Sequence, residues 1–485
     1  MRPTKILKLL IPNDNQNIKN NLNLFNSLKS ISSLKSSFYL LRNYIAFFTI
    51  VFVLSWRYSI GGKQLPLLCN LFSLQCPIWP ISGNVENGYE NVIEAFKLNF
   101  AEGLEIGASF TAYVNNNPVV DLSAGYHDRF FRRPYNNQSL QLVFSSSKFV
   151  EGVVMAYLVD KKLISYNQTI ASLWPEFAQG NKEHVLISCL LGHRAGVTFL
   201  DQQPSLLQIG NLDEMAKLLA SQPHNFNGSS VQGYHAVTRG WYLNEIVRRV
   251  DPKKRSMGQL IREEIMPLTK TEYYLNIPTH YESRISPLMG TPALRTIAKF
   301  IIPERFQSEP LPKGLKALMD RNSIGFKALA GSAPKQIIPF PHSHNRKEIW
   351  RSEGPSYSGI TNSASLARLA AYMANEGTLD GHEFITPATI NEALVPLKWM
   401  PDTVVTRNVT FTTGGWGLNI TFPGSETYRW IGWGGIGGSM VWWNPDKKLA
   451  FSYVMNACSY SGIGDIRSWR LVEAFTKAYE ASLVQ

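Results

Sequence analysis

Residues 142–150 read LVFSSSKFV. The segment sets Ser145 and Lys148 three positions apart, at the start of a stretch whose apolar residues Val150, Val154 and Leu158 recur at four-residue spacing. That period predicts a helix, and residues three apart lie on one helix face. A serine hydroxyl is a poor nucleophile until a base takes its proton, and a partly desolvated lysine amine with a lowered pKa is such a base. A helix N-terminus also favours negative charge developing near Ser145. Ser-x-x-Lys alone recurs by chance on long chains, where it marks only an exposed helix start, so the surrounding sequence has to decide.

Upstream, Ala108 to Val114, the turn Asn115-Asn116-Asn117-Pro118, and Val119 to Leu122 read as a hairpin. Downstream the pattern returns: strand Ser439 to Trp443, turn Asn444-Pro445-Asp446, strand Leu449 to Asn456, then a helix with Leu471, Phe475 and Ala478 on one face. Between these ends the signals are mostly helical, as in Leu243, Val247 and Val250, a stripe closed by Asp251-Pro252. Strand-forming segments at both ends with helices between them predict an α/β (α+β) fold. Its antiparallel sheet is built from both termini and flanked by helices, and a helical subdomain is inserted. The cleft between sheet and helices is the expected site.

From about Val85 onward the chain resembles class C β-lactamases and their esterase relatives, within the serine β-lactamase/penicillin-binding-protein family, and most of all the β-lactamase-domain-containing proteins of animals. VFSSSKFVEGVVMAYLVDKKL resembles the family's nucleophile helix, and Leu190 to Val197, LLGHRAGV, its next landmark. GYHAVTRGWYLNEIVRRV resembles the helix carrying Tyr-x-Asn, and EGPSYSGITNSASLARLAAYMANEGTLDG the segment that closes the helical subdomain. The resemblance implies Ser145 as nucleophile, Lys148 as its activating partner and Tyr234 as the group relaying protons between serine, lysine and leaving group.

Two positions depart from the family pattern. The Asn of Tyr-x-Asn is Ala236, which removes a contact to the acyl-amide side chain of a β-lactam. The Lys or His of the third landmark is Trp433, in the run GWGGIGGS (432–439), and an indole brings no charge. Trp433, Gly434, Gly435 and His235 are the expected substrate pocket, although Trp433 packed in the sheet and His235 as a structural residue are the competing readings. The expected oxyanion donors are the backbone N–H groups of Ser145 and Ile436. His193 reads as a hydrogen-bonded architectural residue rather than a base. No metal site and no cofactor are indicated.

The formal charge of +12 sits mostly at the front, since residues 1–57 hold eight Lys or Arg against Asp14. The rest carries no basic block, zinc-finger spacing or RNA-binding aromatic signature, which argues against nucleic acid. Residues 1–36 are acid-poor and polar without sustained helical period, and are expected to be flexible. From Tyr44 to Trp56, YIAFFTIVFVLSW is uncharged; thirteen residues span about 20 Å as a helix, short of a ~30 Å hydrocarbon core unless Phe38 to Leu41 extend it. The division is therefore 1–43 basic leader, 44–60 apolar anchor or signal segment, 61–84 linker and 85–485 catalytic domain. A membrane anchor with the N-terminus in the cytosol and the catalytic domain lumenal or extracellular is the favoured reading, ahead of secretion or a mitochondrial presequence. Sequons at Asn137, Asn167, Asn227, Asn408 and Asn419 suit a glycoprotein. Cys69 and Cys76 are either a disulfide or two free thiols, depending on the compartment.

The expected activity is acyl-enzyme hydrolysis of a small-molecule ester or small amide rather than a β-lactam. A peptidase acting on small peptides and a catalytically silent scaffold are the alternatives, and the sequence leaves the oligomeric state open.

Overall fold

Strands from the two ends of the region that follows residue 80 meet in one sheet. The computed structural model describes residues 15–60, 62, 64–303, 305, 320–337, 341–405, 409–422, 424–459 and 464–484. Its main sheet has eight strands: β1 Ile81–Val85, β2 Gly107–Val114, β3 Asn117–Gly125, β4 Thr410–Phe411, β5 Gly417–Ile420, β6 Trp430–Gly434, β7 Met440–Asn444 and β8 Leu449–Met455. They lie in the order β1-β3-β2-β8-β7-β6-β5-β4, and every neighbouring pair is antiparallel. The join is β2 with β8, where Phe110 faces Tyr453. Both predicted hairpins are present. The first turn is tighter than expected: Asn115 takes a left-handed φ of 54°, Val114 pairs with Asn117, and Pro118 sits in the strand opposite Tyr113 at a bulge.

Strands β2 and β8 are buried at nearly every position, which means helices cover both faces. Helices α3 Glu90–Ala101 and α9 Ile466–Ser482 pack together over β2 and β3, with Tyr89 against Phe475. Helix α8 Ser363–Ala374 crosses β2, β7 and β8, and Thr111 shares a hydrogen bond with Ser363. Helices α4 Ser147–Asp160 and α6 Thr238–Val250, with α5 Leu212–Ser221 between them in the chain, carry the predicted stripes, with Val150, Val154, Leu158, Leu243 and Val247 all buried in the core.

Ahead of the sheet, α1 runs unbroken from Asn15 to Ile60. The leader expected to be flexible is thus helical from Asn15 onward; residues 1–14 lie outside the described part. Once an apolar segment has nucleated a helix, extension costs little even without an amphipathic period. Lys35–Tyr58, 24 residues, forms one helix long and apolar enough to cross a membrane, about 36 Å; a signal sequence meets the same criterion. After it come α2 Leu67–Phe72 and a disulfide between Cys69 and Cys76. The segment expected to be a linker to residue 84 therefore contains a helix, a crosslink and the first strand of the sheet.

Candidate active site

Ser145 lies in a single 3-10 turn, Phe144–Ser146, that runs directly into α4. Phe144 adopts a left-handed φ of 46°, a conformation that costs a non-glycine residue about 1–3 kcal/mol and persists only when its surroundings enforce it. Two contacts hold it: the Phe144 ring packs edge-on to His344 at 4.9 Å, and Ser146 Oγ shares a 2.9 Å hydrogen bond with Ser439 Oγ. Ser439 Oγ also donates to Val143 O at 2.8 Å, so the turn after β6 is tied to both sides of Ser145. Gly435 is required there. A Cβ on it would fall 2.3 Å from Val143 O and 3.2 Å from Ser146 N.

The three residues expected to share the chemistry converge. Tyr234 OH donates to Ser145 Oγ at 2.8 Å, and Lys148 Nζ lies 3.3 Å from the same oxygen. Lys148 is fully buried, and Nζ donates to Ala236 O at 2.7 Å and Ser356 O at 3.0 Å. Burial, assisted by the Arg239 charge and opposed by Glu151, holds the Lys148 pKa well below the usual ammonium range. A neutral amine has two hydrogens and one lone pair. With the two carbonyls taking both hydrogens, the lone pair is left for the Ser145 hydroxyl. Tyr234 is displaced the opposite way: burial pushes its phenol up to about 12, against smaller lowering effects of the Ser145 hydrogen bond and Arg239. It is therefore a neutral hydroxyl at physiological pH, not a phenolate.

Behind Lys148 lies an ion pair the sequence did not single out. Arg239 Nε meets Glu151 Oε2 at 2.6 Å, with both side chains fully enclosed. Arg239 also donates to Leu191 O at 2.9 Å, Gly415 O at 3.1 Å and Lys148 O at 3.0 Å. Glu151 Oε1 accepts from Ser356 Oγ at 2.6 Å, and Ser356 is the residue whose carbonyl receives Lys148. The pair thus fixes the backbone and the side-chain environment of the lysine from both sides. Helix α6 approaches closely enough only because residue 240 is glycine, where a Cβ would meet Ser356 N at 2.4 Å. A sequence signal existed: Glu151 is the lone acid in VEGVVMAYLV, an otherwise apolar stretch, and such a charge needs a partner.

Trp433, where a cation was expected, belongs to an aromatic stack. Its ring lies nearly parallel to Phe411 at 5.5 Å and to Tyr234 at 6.0 Å, and the Arg239 guanidinium sits 5.0 Å from its centroid. The indole thus braces Tyr234, and a buried arginine supplies positive charge close to its ring. His193 is architectural as expected: it is buried, its Nδ1 accepts from His235 N at 2.9 Å, and burial lowers its pKa well below the usual range. His235, named above among the pocket residues, is instead fully enclosed. Nδ1 lies 2.5 Å from Gly233 O and the ring packs on His193, which puts it behind the site rather than on its wall. Ile436 is half-exposed in the turn after β6, next to Gly434 and Gly435.

The chain belongs to the Beta-lactamase family, whose profile matches residues 96–472. It is 28% identical over 387 residues to the esterase/beta-lactamase LipL of Mycobacterium tuberculosis, a match covering 78% of this chain and 83% of that protein. Among solved structures, a penicillin-binding protein homologue from Caulobacter crescentus superposes with a TM-score of 0.69 at 31% identity, covering 82% of this chain and all of that one. A family VIII carboxylesterase superposes at 0.72 with 27% identity and the same coverage. These relationships and the fold make the protein a serine hydrolase.

Proposed function

We propose that the protein is a membrane-anchored esterase working through an acyl-enzyme on Ser145. The observation that carries this reading is the convergence of Lys148 Nζ and Tyr234 OH on Ser145 Oγ. In acylation the Ser145 hydroxyl passes its proton to neutral Lys148 as Oγ attacks the ester carbonyl. The resulting oxyanion is received by the backbone N–H groups of Ser145 and Ile436. As the tetrahedral adduct collapses, Tyr234 gives its proton to the departing alkoxide and is reprotonated from the Lys148 ammonium. Water then attacks the acyl-enzyme, losing its proton along the same relay, and Ser145 leaves with a proton restored.

Ester preference is supported by Ala236, which offers no amide to an acyl-amino side chain, by the uncharged Trp433, and by the esterases among the relatives. Trp433, Gly434 and Gly435 line the acyl pocket in this reading. The favoured topology places α1 in a bilayer with the catalytic domain on the lumenal or extracellular side. The Cys69–Cys76 disulfide suits an oxidising compartment, and Asn137, Asn167, Asn227 and Asn419 are all exposed for glycosylation; Asn408 lies outside the described residues.

The test is labelling by a fluorophosphonate probe and turnover of p-nitrophenyl butyrate, wild type against Ser145→Ala. Loss of both in the folded variant is expected. Labelling that persists in Ser145→Ala would remove the serine from the chemistry.

A further inference from the structure

Helix α7, Ala293–Ile301, presents an apolar face to solvent: Leu294 is 67% exposed, Ile297 54% and Ile301 71%. These positions, i, i+3 and i+7, form one stripe, while Arg295, Ala298 and Ile302 on the adjoining face are buried. What covers the stripe is indicated by its neighbour. Helix α7 packs against α1, and the Arg295 guanidinium lies 4.4 Å from the centre of the Tyr58 ring. Tyr58 and Trp56 end the apolar span of α1, and aromatic residues at such an end mark headgroup depth. The contact therefore sets α7 at that depth.

The next segment in space has the same character. Arg129 donates to Gly290 O just ahead of α7, bringing up a loop whose Phe130 is 75% exposed and whose Arg132 and Arg133 are exposed beside it. An apolar stripe, a projecting phenylalanine and two arginines suit the boundary between acyl chains and anionic headgroups.

We infer that α7 is an interfacial helix, docking the catalytic domain onto the bilayer that α1 enters through Leu294, Ile297, Ile301 and Phe130. The inference rests on the reading of α1 as a membrane anchor. It adds a second attachment, which fixes the orientation of the domain instead of leaving it on a tether. The chain just before α7 also leads to the site. Met289 O accepts from Cys458 N at 2.7 Å, and the adjacent Ser459 N donates to Gly437 O in the turn after β6.

The experiment uses the full chain in lipid nanodiscs, with Cys189→Ser to remove the partly exposed thiol and a polarity-sensitive fluorophore on one of three new cysteines. Leu294→Cys reports on α7 and Phe48→Cys on the middle of the apolar span of α1. Asn116→Cys sits at the far end of β2 from Gly103, whose carbonyl receives Gln64 N in the juxtamembrane segment. Blue-shifted emission at Leu294 is expected, with quenching by a nitroxide near the headgroup. Phe48 should be quenched most by a nitroxide deep in the acyl chains, and Asn116 only by aqueous iodide. Iodide quenching at Leu294 equal to that at Asn116, with Phe48 in lipid, would overturn the docking of α7 and leave the anchor standing. Shielding of Leu294 from both quenchers would assign the stripe to a protein partner, such as a second copy, and also overturn it. Iodide quenching at Phe48 would defeat the anchor reading, and the inference with it.

Discussion

Removing one oxygen atom, Tyr234→Phe, separates the chemical from the structural duties of this residue. The ring remains in place: it is stacked on Trp433, edge-on to His193 at 4.9 Å, and 5.0 Å beneath Lys148 Nζ. No cavity forms, and the lost hydrogen bond to Ser145 is worth about 1 kcal/mol to folding. The kinetic cost depends on the leaving group. An alkoxide needs a proton as it departs, so ethyl butyrate should lose roughly 10²–10⁴ in kcat/KM, the range for a positioned acid or base. That loss corresponds to about 3–5 kcal/mol of transition-state free energy. p-Nitrophenolate leaves without protonation, so p-nitrophenyl butyrate should lose at least about tenfold less. The assay compares kcat/KM for both esters in wild type and variant, with thermal unfolding as the control. Equal losses on the two esters, or a loss below about tenfold on ethyl butyrate in a folded variant, would refute the assignment of Tyr234 as the leaving-group acid.

The pH dependence has a defined sign. In the proposed mechanism Lys148 works unprotonated, and its pKa is lowered by burial, so kcat/KM should rise with pH through that lowered value. It should then stay level through mildly alkaline pH, because Tyr234 keeps its proton until about 12; a fall between neutral pH and mildly alkaline pH would contradict this. Arg239→Gln strands the buried Glu151 carboxylate, costing about 3–5 kcal/mol in chemical denaturation. Since the Arg239 charge depresses Lys148 and the Glu151 charge raises it, the acid limb of the rate profile should move to higher pH in whatever fraction stays folded. Gly435→Ala drives a methyl group into Val143 O, and a displacement of that size near the reacting centre should lower kcat on the order of 10²-fold while the circular dichroism spectrum is retained.

The architecture was legible because its elements declare themselves locally. Each hairpin has alternation and turn residues, and α4 and α6 have apolar stripes at helical spacing. Ser145, Lys148 and Tyr234 were singled out through motif context, and the geometry brings them together. What escaped the sequence depends on pairings over long distances. Glu151 and Arg239 are 88 residues apart and meet only when α4 and α6 pack. His235 follows Tyr234 directly, yet its ring turns into the interior while the phenol faces the serine, a difference that adjacency along the chain does not encode. Helix α1 was underestimated at its N-terminal end because its polar half has no amphipathic period to read.

The junction of β2 with β8 also bears on how the protein is made. Gly107 N donates to Asn456 Oδ1, a partner 349 residues later in the chain. At about 5–20 residues per second, a ribosome takes roughly 20–70 s to supply the second after the first. Through that interval the β2–β3 hairpin exposes one unpaired edge, the kind of surface on which strands from other chains add. Because β6 and the turn holding Gly435 and Ile436 emerge in the same late segment, the growing polypeptide carries Ser145 long before the rest of the proposed site is made. A nascent chain of this protein is both inert and vulnerable, so its yield should depend on holdase chaperones more than its final stability would suggest.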